Sequence, residues 1–211
     1  FDEARIYFTK SLQLQKPHSH TFRNARIGFA RSLNGLGRSR EAVDAISLSI
    51  EETPLSETTM LAIQYQLKGD FHFFADELNA AKECYDMAFS LFSKEDQTKD
   101  RAYLFRSLGA YWITQGDPQQ AKACLLEALT ILERENAEPV SRLALYYWLE
   151  QVADFEVPME KRIALRCHYD LSFYSLLAGK ISNEDFKLPR WFNRRLESQS
   201  SDCWVITLKS I

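Results

Sequence analysis

Small and large apolar residues alternate along this chain at spacings that put them on one side of a helix. In and just beyond the stretch GDPQQAKACLLEAL, Gly116 to Leu129, the residues Ala121, Leu125, Ala128 and Leu132 fall at intervals of four, three and four. Those intervals mark one face of a helix with 3.6 residues per turn. The same small, large, small order returns upstream as Ala81, Tyr85, Ala88, as Ala42, Ile46, Ser49, and as Ala4, Phe8, Ser11. The leading alanines are 38, 39 and 40 residues apart. Self-similarity at such a spacing is the mark of stacked repeats.

Two further registers keep step with the first. Ala30, Gly69 and Gly109 stand twelve residues before Ala42, Ala81 and Ala121. A small residue inside a helical pattern lets two helix axes approach closely, whereas a glycine in a lone exposed helix only costs about 1 kcal/mol. Gly37, Asp76 and Gly116 stand five residues before the same alanines and supply a turn. Each unit therefore reads as helix A, a short turn and helix B, with successive units stacking.

The predicted elements follow. A B helix runs from Asp2 to Leu14. Hairpins follow at His20 to Leu36 with Ser39 to Glu52, Ser56 to Ala75 with Leu78 to Phe92, and Thr98 to Gln115 with Pro118 to Asn136. Pro118 suits the first turn of its helix, where its missing N–H is not needed. Pro54, Pro139 and Pro158 mark boundaries. Residues 137–178 predict a degenerate fourth hairpin or cap, built from Glu138 to Ala153 and Met159 to Leu177. The tail, 179–211, changes character. Ser182 or Asn183 suits a helix N-cap, LPRWFNRRLESQ suits a short helix, and WVITLKSI is β-branched and strand-like.

Composition agrees with helices. The 211 residues include only 7 glycines and 6 prolines, fewer turn residues than a β-rich or α/β fold needs. The longest apolar run, Leu143 to Leu149, is far too short to span a bilayer. Net charge is −3, which gives no general push toward nucleic acid or anionic membrane. Cys84, Cys124, Cys167 and Cys203 match no CxxC pair and no zinc ligand set, and three of them sit inside apolar helical patterns. Reduced core thiols and a cytoplasmic location are the expectation.

Candidate chemistry is sparse. The Gly116 turn has one glycine, no Lys-Ser/Thr pair and no strand before it, so it fails the phosphate-loop fingerprints. His18 and His20 share a loop with no further ligand signalled nearby. His72 lies in an aromatic run, and Cys167 and His168 point about 100° apart on one helix. The acidic pairs Glu51-Glu52, Glu95-Asp96 and Glu184-Asp185 lie at helix ends or in loops. No catalytic, cofactor or metal constellation emerges, and an enzyme is not the expectation. Lys187, Arg190, Arg194 and Arg195 with Trp191 and Phe192 form the most basic-aromatic spot. It reads either as a nucleic-acid contact or as a docked terminal helix, and the acidic chain argues against the first.

Taken together, these residues resemble the tetratricopeptide repeat family. Leu108-Gly109, Trp112, the Gly116-Asp117 turn, Ala121, Leu125 and Ala128 fall on its signature slots. Ala30, Gly37, Ala42 and Pro54 do so in the first hairpin, and Gly69, Ala81, Tyr85 and Ala88 in the second. The likeness covers about residues 1 to 136. It implies an all-α solenoid of stacked antiparallel hairpins, with a half repeat at 1–17, units at 20–55, 56–94 and 98–136, and an atypical C-terminal cap. The period exceeds the usual 34 residues, which resembles the helical-repeat domains of larger bacterial regulators.

The resemblance implies a function as well. Helix A of each unit lines the concave side, where a non-enzymatic scaffold binds a peptide or protein segment. By phase, the candidate contact residues are Arg31 and Asn34, then Gln66, Asp70 and Phe73, then Tyr103 and Arg106. The family's clamp for C-terminal carboxylates is not reproduced, because Ile27, Arg31, Leu67, Tyr103 and Ser107 occupy its slots. The alternative is a sensing domain of a signalling or transcription regulator, in which a ligand shifts the solenoid's curvature. The first helix predicts one more contact. Ala4, Phe8 and Leu12 would lie uncovered there, so that further repeats precede Phe1, or a second copy or the tail covers that end.

Overall fold

The computed structural model describes residues 1–152 except 18, 93–97, 138 and 150. The expected helix Met159 to Leu177, the tail with its strand-like end and basic-aromatic cluster, and Cys167, His168 and Cys203 lie outside the described residues. Among the described residues the chain is all-helical, with α1 Asp2–Leu14, α2 His20–Gly35, α3 Ser39–Glu51, α4 Thr58–Phe74, α5 Leu78–Leu91, α6 Lys99–Gln115, α7 Pro118–Arg134 and α8 Pro139–Leu149.

The repeated seam is where the hairpins close. Ala42, Ile46 and Ser49 of α3, Ala81, Tyr85 and Ala88 of α5, and Ala121, Leu125 and Ala128 of α7 are fully buried. Each B helix lays this stripe on the A helix before it. A Cβ on Gly69 would lie 2.5 Å from the Tyr85 ring, and one on Gly109 would lie 2.5 Å from Leu125 Cγ. Glycine is needed there because the partner side chain fills the space that a methyl group would take.

The turns repeat in backbone as well as in sequence. Gly37, Asp76 and Gly116 all have positive φ, at 75°, 67° and 77°. Each is followed by a residue whose N–H reaches back five positions, Arg38 to Leu33, Glu77 to His72 and Asp117 to Trp112, at 2.9 to 3.0 Å. This closure satisfies helix-end carbonyls and turns the chain into helix B. Asp76 does it without glycine, since aspartate tolerates the left-handed region better than most residues. Asn136 and Ala137 close α7 the same way, with φ 49° at Asn136 and Ala137 N–H bonding Leu132 at 2.9 Å. Asp117 then caps α7, its carboxylate accepting from Gln120 N–H at 3.0 Å, with Pro118 in the first turn.

The core passes from one unit to the next. One cluster joins α2, α3 and α4 through Leu33, Ile46, Leu67 and Phe71. The next joins α4, α5 and α6 through Tyr85, Leu104, Leu108 and Tyr111. A third joins α6, α7 and α8 through Leu125, Leu132, Leu145 and Leu149. The A helices also touch in sequence, α2 with α4, α4 with α6 and α6 with α8. They form a continuous inner layer, with the B helices behind it.

α1 departs from its expected surroundings. Phe8 does not stand open at the end of the stack. It lies over α2, where a Cβ on Gly28 would run into its ring, and Ala4, Phe8 and Leu12 are half-buried. The open apolar residues of α1 are instead Ile6, Tyr7 and Leu14.

Candidate functional site

The inner layer carries a polar cluster centred on Asp70 of α4. Three helices hold it. The Tyr85 hydroxyl of α5 donates to Asp70 Oδ1 at 2.9 Å. Gln66, one turn back on α4, donates through Nε2 to Asp70 Oδ2 and to Ser107 Oγ of α6 at 3.1 Å. Ser107 donates to the Tyr103 carbonyl at 3.0 Å, and its hydroxyl lies beside the Asp70 carboxyl.

The electrostatics follow from burial. Removal from water pushes the Asp70 carboxyl above its usual range. Arg106, the hydroxyls of Ser107 and Tyr85, and Arg31 pull it back in part. Burial, with the Asp70 charge beside it, holds the Tyr85 hydroxyl well above its usual range, so it remains a protonated donor. Arg31 of α2 lies near a second carboxyl, Asp100 of α6, which burial also pushes up. Arg31 thus acts on carboxyls from both following units.

The two arginines differ from their surroundings. The Arg106 guanidinium sits over the Tyr103 ring, 5.3 Å from its centroid. The Tyr103 hydroxyl in turn bonds Ser141 of α8 at 3.3 Å. Arg31 is exposed. Among the described residues neither arginine donates a hydrogen bond, while the polar groups beneath them bond one another. An arginine carries five N–H donors in a planar fork suited to planar acceptors.

The seven residues expected on this face divide. Arg31, Asp70 and Arg106 converge electrostatically, Gln66 bonds Asp70, and Tyr103 supports Arg106. Gln66 is not on an open surface. It is buried between α4 and α6, because the A helices touch at that level. Asn34 belongs to the first turn, where its Oδ1 accepts from the Ser39 hydroxyl at 2.9 Å. Phe73 packs against the core shared by α4, α5 and α6. Tyr85 was legible only as a seam residue, yet it stands where the other units carry Ile46 and Leu125. A hydroxyl at the centre of an apolar seam requires a buried partner, and Asp70 is that partner.

Nothing else described on this face points to catalysis or to a metal. His72 Nδ1 bonds Glu77 at 2.8 Å, and Glu77 also accepts from Arg40 at 3.0 Å, tying the second turn to the first unit. Burial raises the Cys84 thiol and pushes Cys124 up to about 11, so both stay protonated near neutrality. Among the described residues no group of three His, Cys, Asp or Glu is placed to hold a metal ion, and no helix is long and apolar enough to cross a membrane.

No protein-family model matches the sequence, and no curated protein matches it. Solved structures do. A point variant of the Podosopora anserina putative kinesin light chain nearly identical TPR-like repeats is 14% identical, with a TM-score of 0.52, over 82% of this chain and 87% of that one. Another crystal structure of the same repeats is 14% identical, with a TM-score of 0.49, over 86% and 87%. At 14% identity the likeness bears on architecture, and with the all-helical stack it makes this fold a solenoid of TPR-like helical repeats.

Proposed function

We propose that this chain is a non-enzymatic protein-interaction domain that binds a peptide or protein segment across its inner helix face. The observation that carries the reading is the pair Arg31 and Arg106. Both stand above a satisfied polar layer with donors to spare, on a face built from successive A helices. Tyr103 holds its ring under Arg106, and Asp70 fixes the local charge from below. A segment lying across α2, α4 and α6 would meet these groups in turn. Stacked repeats of this kind present extended concave surfaces.

The test uses a displayed library of random peptides, selected against the full 211-residue chain. Peptides that bind through this face lose affinity by about tenfold or more when Arg31 and Arg106 are both replaced by alanine, with a loss of about 1.4 kcal/mol per decade. They keep it when Glu83 and Glu127, both exposed on the B helices, are replaced. Selected peptides that bind both variants equally refute the assignment.

A further inference from the structure

The first helix carries a different surface. α1 packs on α2, and the side it turns away holds Glu3, Ile6, Tyr7 and Lys10, all exposed. Ile6 is 47% exposed and Tyr7 is 68% exposed, high values for large apolar side chains on one helix. The four positions are i, i+3, i+4 and i+7, a single stripe. Neither Glu3 nor Lys10 forms an ion pair among the described residues.

The order along that stripe is acid, apolar, apolar, base. Such a stripe is complementary to itself when a second one runs antiparallel. A two-fold axis between Ile6 and Tyr7 sets Ile6 against the second copy's Tyr7, and Glu3 against its Lys10, with both contacts repeated by symmetry. An isologous contact requires one patch to meet itself in this way. A parallel arrangement would put glutamate beside glutamate and lysine beside lysine. The opposed helix dipoles of an antiparallel pair add to the preference.

We infer that α1 is a self-association surface. Two copies pair antiparallel through α1, with Ile6 and Tyr7 at the centre and a Glu3–Lys10 ion pair at each end. The occupant is therefore a second copy of this chain. One helix face is small beside the roughly 1,200–2,000 Å² that stable complexes bury, so the pair is weak and concentration-dependent. This contact is independent of the inner face, since Arg31 and Arg106 lie on α2 and α6.

Sedimentation velocity on the full chain tests it, from about 10 μM to about 1 mM, where contacts of this size register. The unsubstituted chain should sediment faster as concentration rises. Lys10→Glu opposes like charges at both ends and should weaken association by about tenfold or more. The double change Glu3→Lys, Lys10→Glu restores opposite charges and should restore association. All four residues are exposed, so the helical circular dichroism should be unchanged. Sedimentation that does not depend on concentration overturns the proposal. So does a Lys10→Glu chain that associates as well as the original, or a folded double variant that fails to recover.

Discussion

At the centre of the three hairpin seams stand Ile46, Tyr85 and Leu125, each at most 1% exposed. On the inner face, one position after Ala30, Gly69 and Gly109, stand Arg31, Asp70 and Ala110. The first is an exposed cation, the second a half-buried carboxyl and the third a buried methyl group. Both sets recur with the same period on the same fold. The seam repeats its chemistry because every hairpin solves one packing problem: a large side chain must fill the gap left by a small one. The inner face does not repeat, because its residues meet different neighbours in each unit. Stability should therefore reside in the seam, and recognition in the face.

The largest expected effect is at the seam. Leu125→Ala empties a fully buried site and should cost about 2–5 kcal/mol in urea denaturation. Arg106→Ala, on the face, should stay within about 0.5 kcal/mol. Comparable losses for the two would erase the division.

Gly109→Ala is informative through its sign. In an ordinary helix interior the change stabilises by up to about 1 kcal/mol. Here the new methyl group meets Leu125 Cγ at 2.5 Å, inside a filled core, and the chain should lose about 1–3 kcal/mol. A gain in melting temperature would mean that the helices separate freely and the glycine register is incidental.

Tyr85 belongs to both regions. Tyr85→Phe keeps the ring in the seam but takes a donor from a half-buried carboxylate, at a cost of about 1–3 kcal/mol. If the loss is smaller than about 0.5 kcal/mol, the seam holds Tyr85 by its ring alone.

The smallest effect is one of pH. The folded state raises the Asp70 pKa above 3.8, so it binds that proton more tightly than the unfolded chain does. The stabilisation from this group is complete below 3.8 and is lost as pH rises through the raised value. Asp70→Asn should remove that part of the slope of stability against pH. An unchanged slope in the variant would assign it to other carboxyls.

The seam was legible in the sequence because a stripe at four and three residue intervals survives whatever packs against it. The turns were legible too, down to Asp76 in place of glycine. The Asp70 cluster was only half legible. Gln66 and Asp70 fall in the right phase for the inner face, but sequence phase does not say how closely two A helices approach. That distance decides whether a residue is open like Arg31 or enclosed like Gln66. α1 carries the same lesson. Its stripe Ala4, Phe8, Ser11 copies the other seams, yet Gly28 lets Phe8 lie over α2, and the open side moves to Ile6 and Tyr7. A stripe identifies which residues seek cover, not which neighbour supplies it.

Amide hydrogen exchange of the chain with and without a selected peptide probes the division of labour between seam and face, because it reads both regions together. Recognition on the inner face predicts slowed exchange in α2, α4 and α6, spreading to the turns beside them. Slowing concentrated in α3, α5 and α7, with the A helices unchanged, would place recognition on the other side of the solenoid and overturn that division.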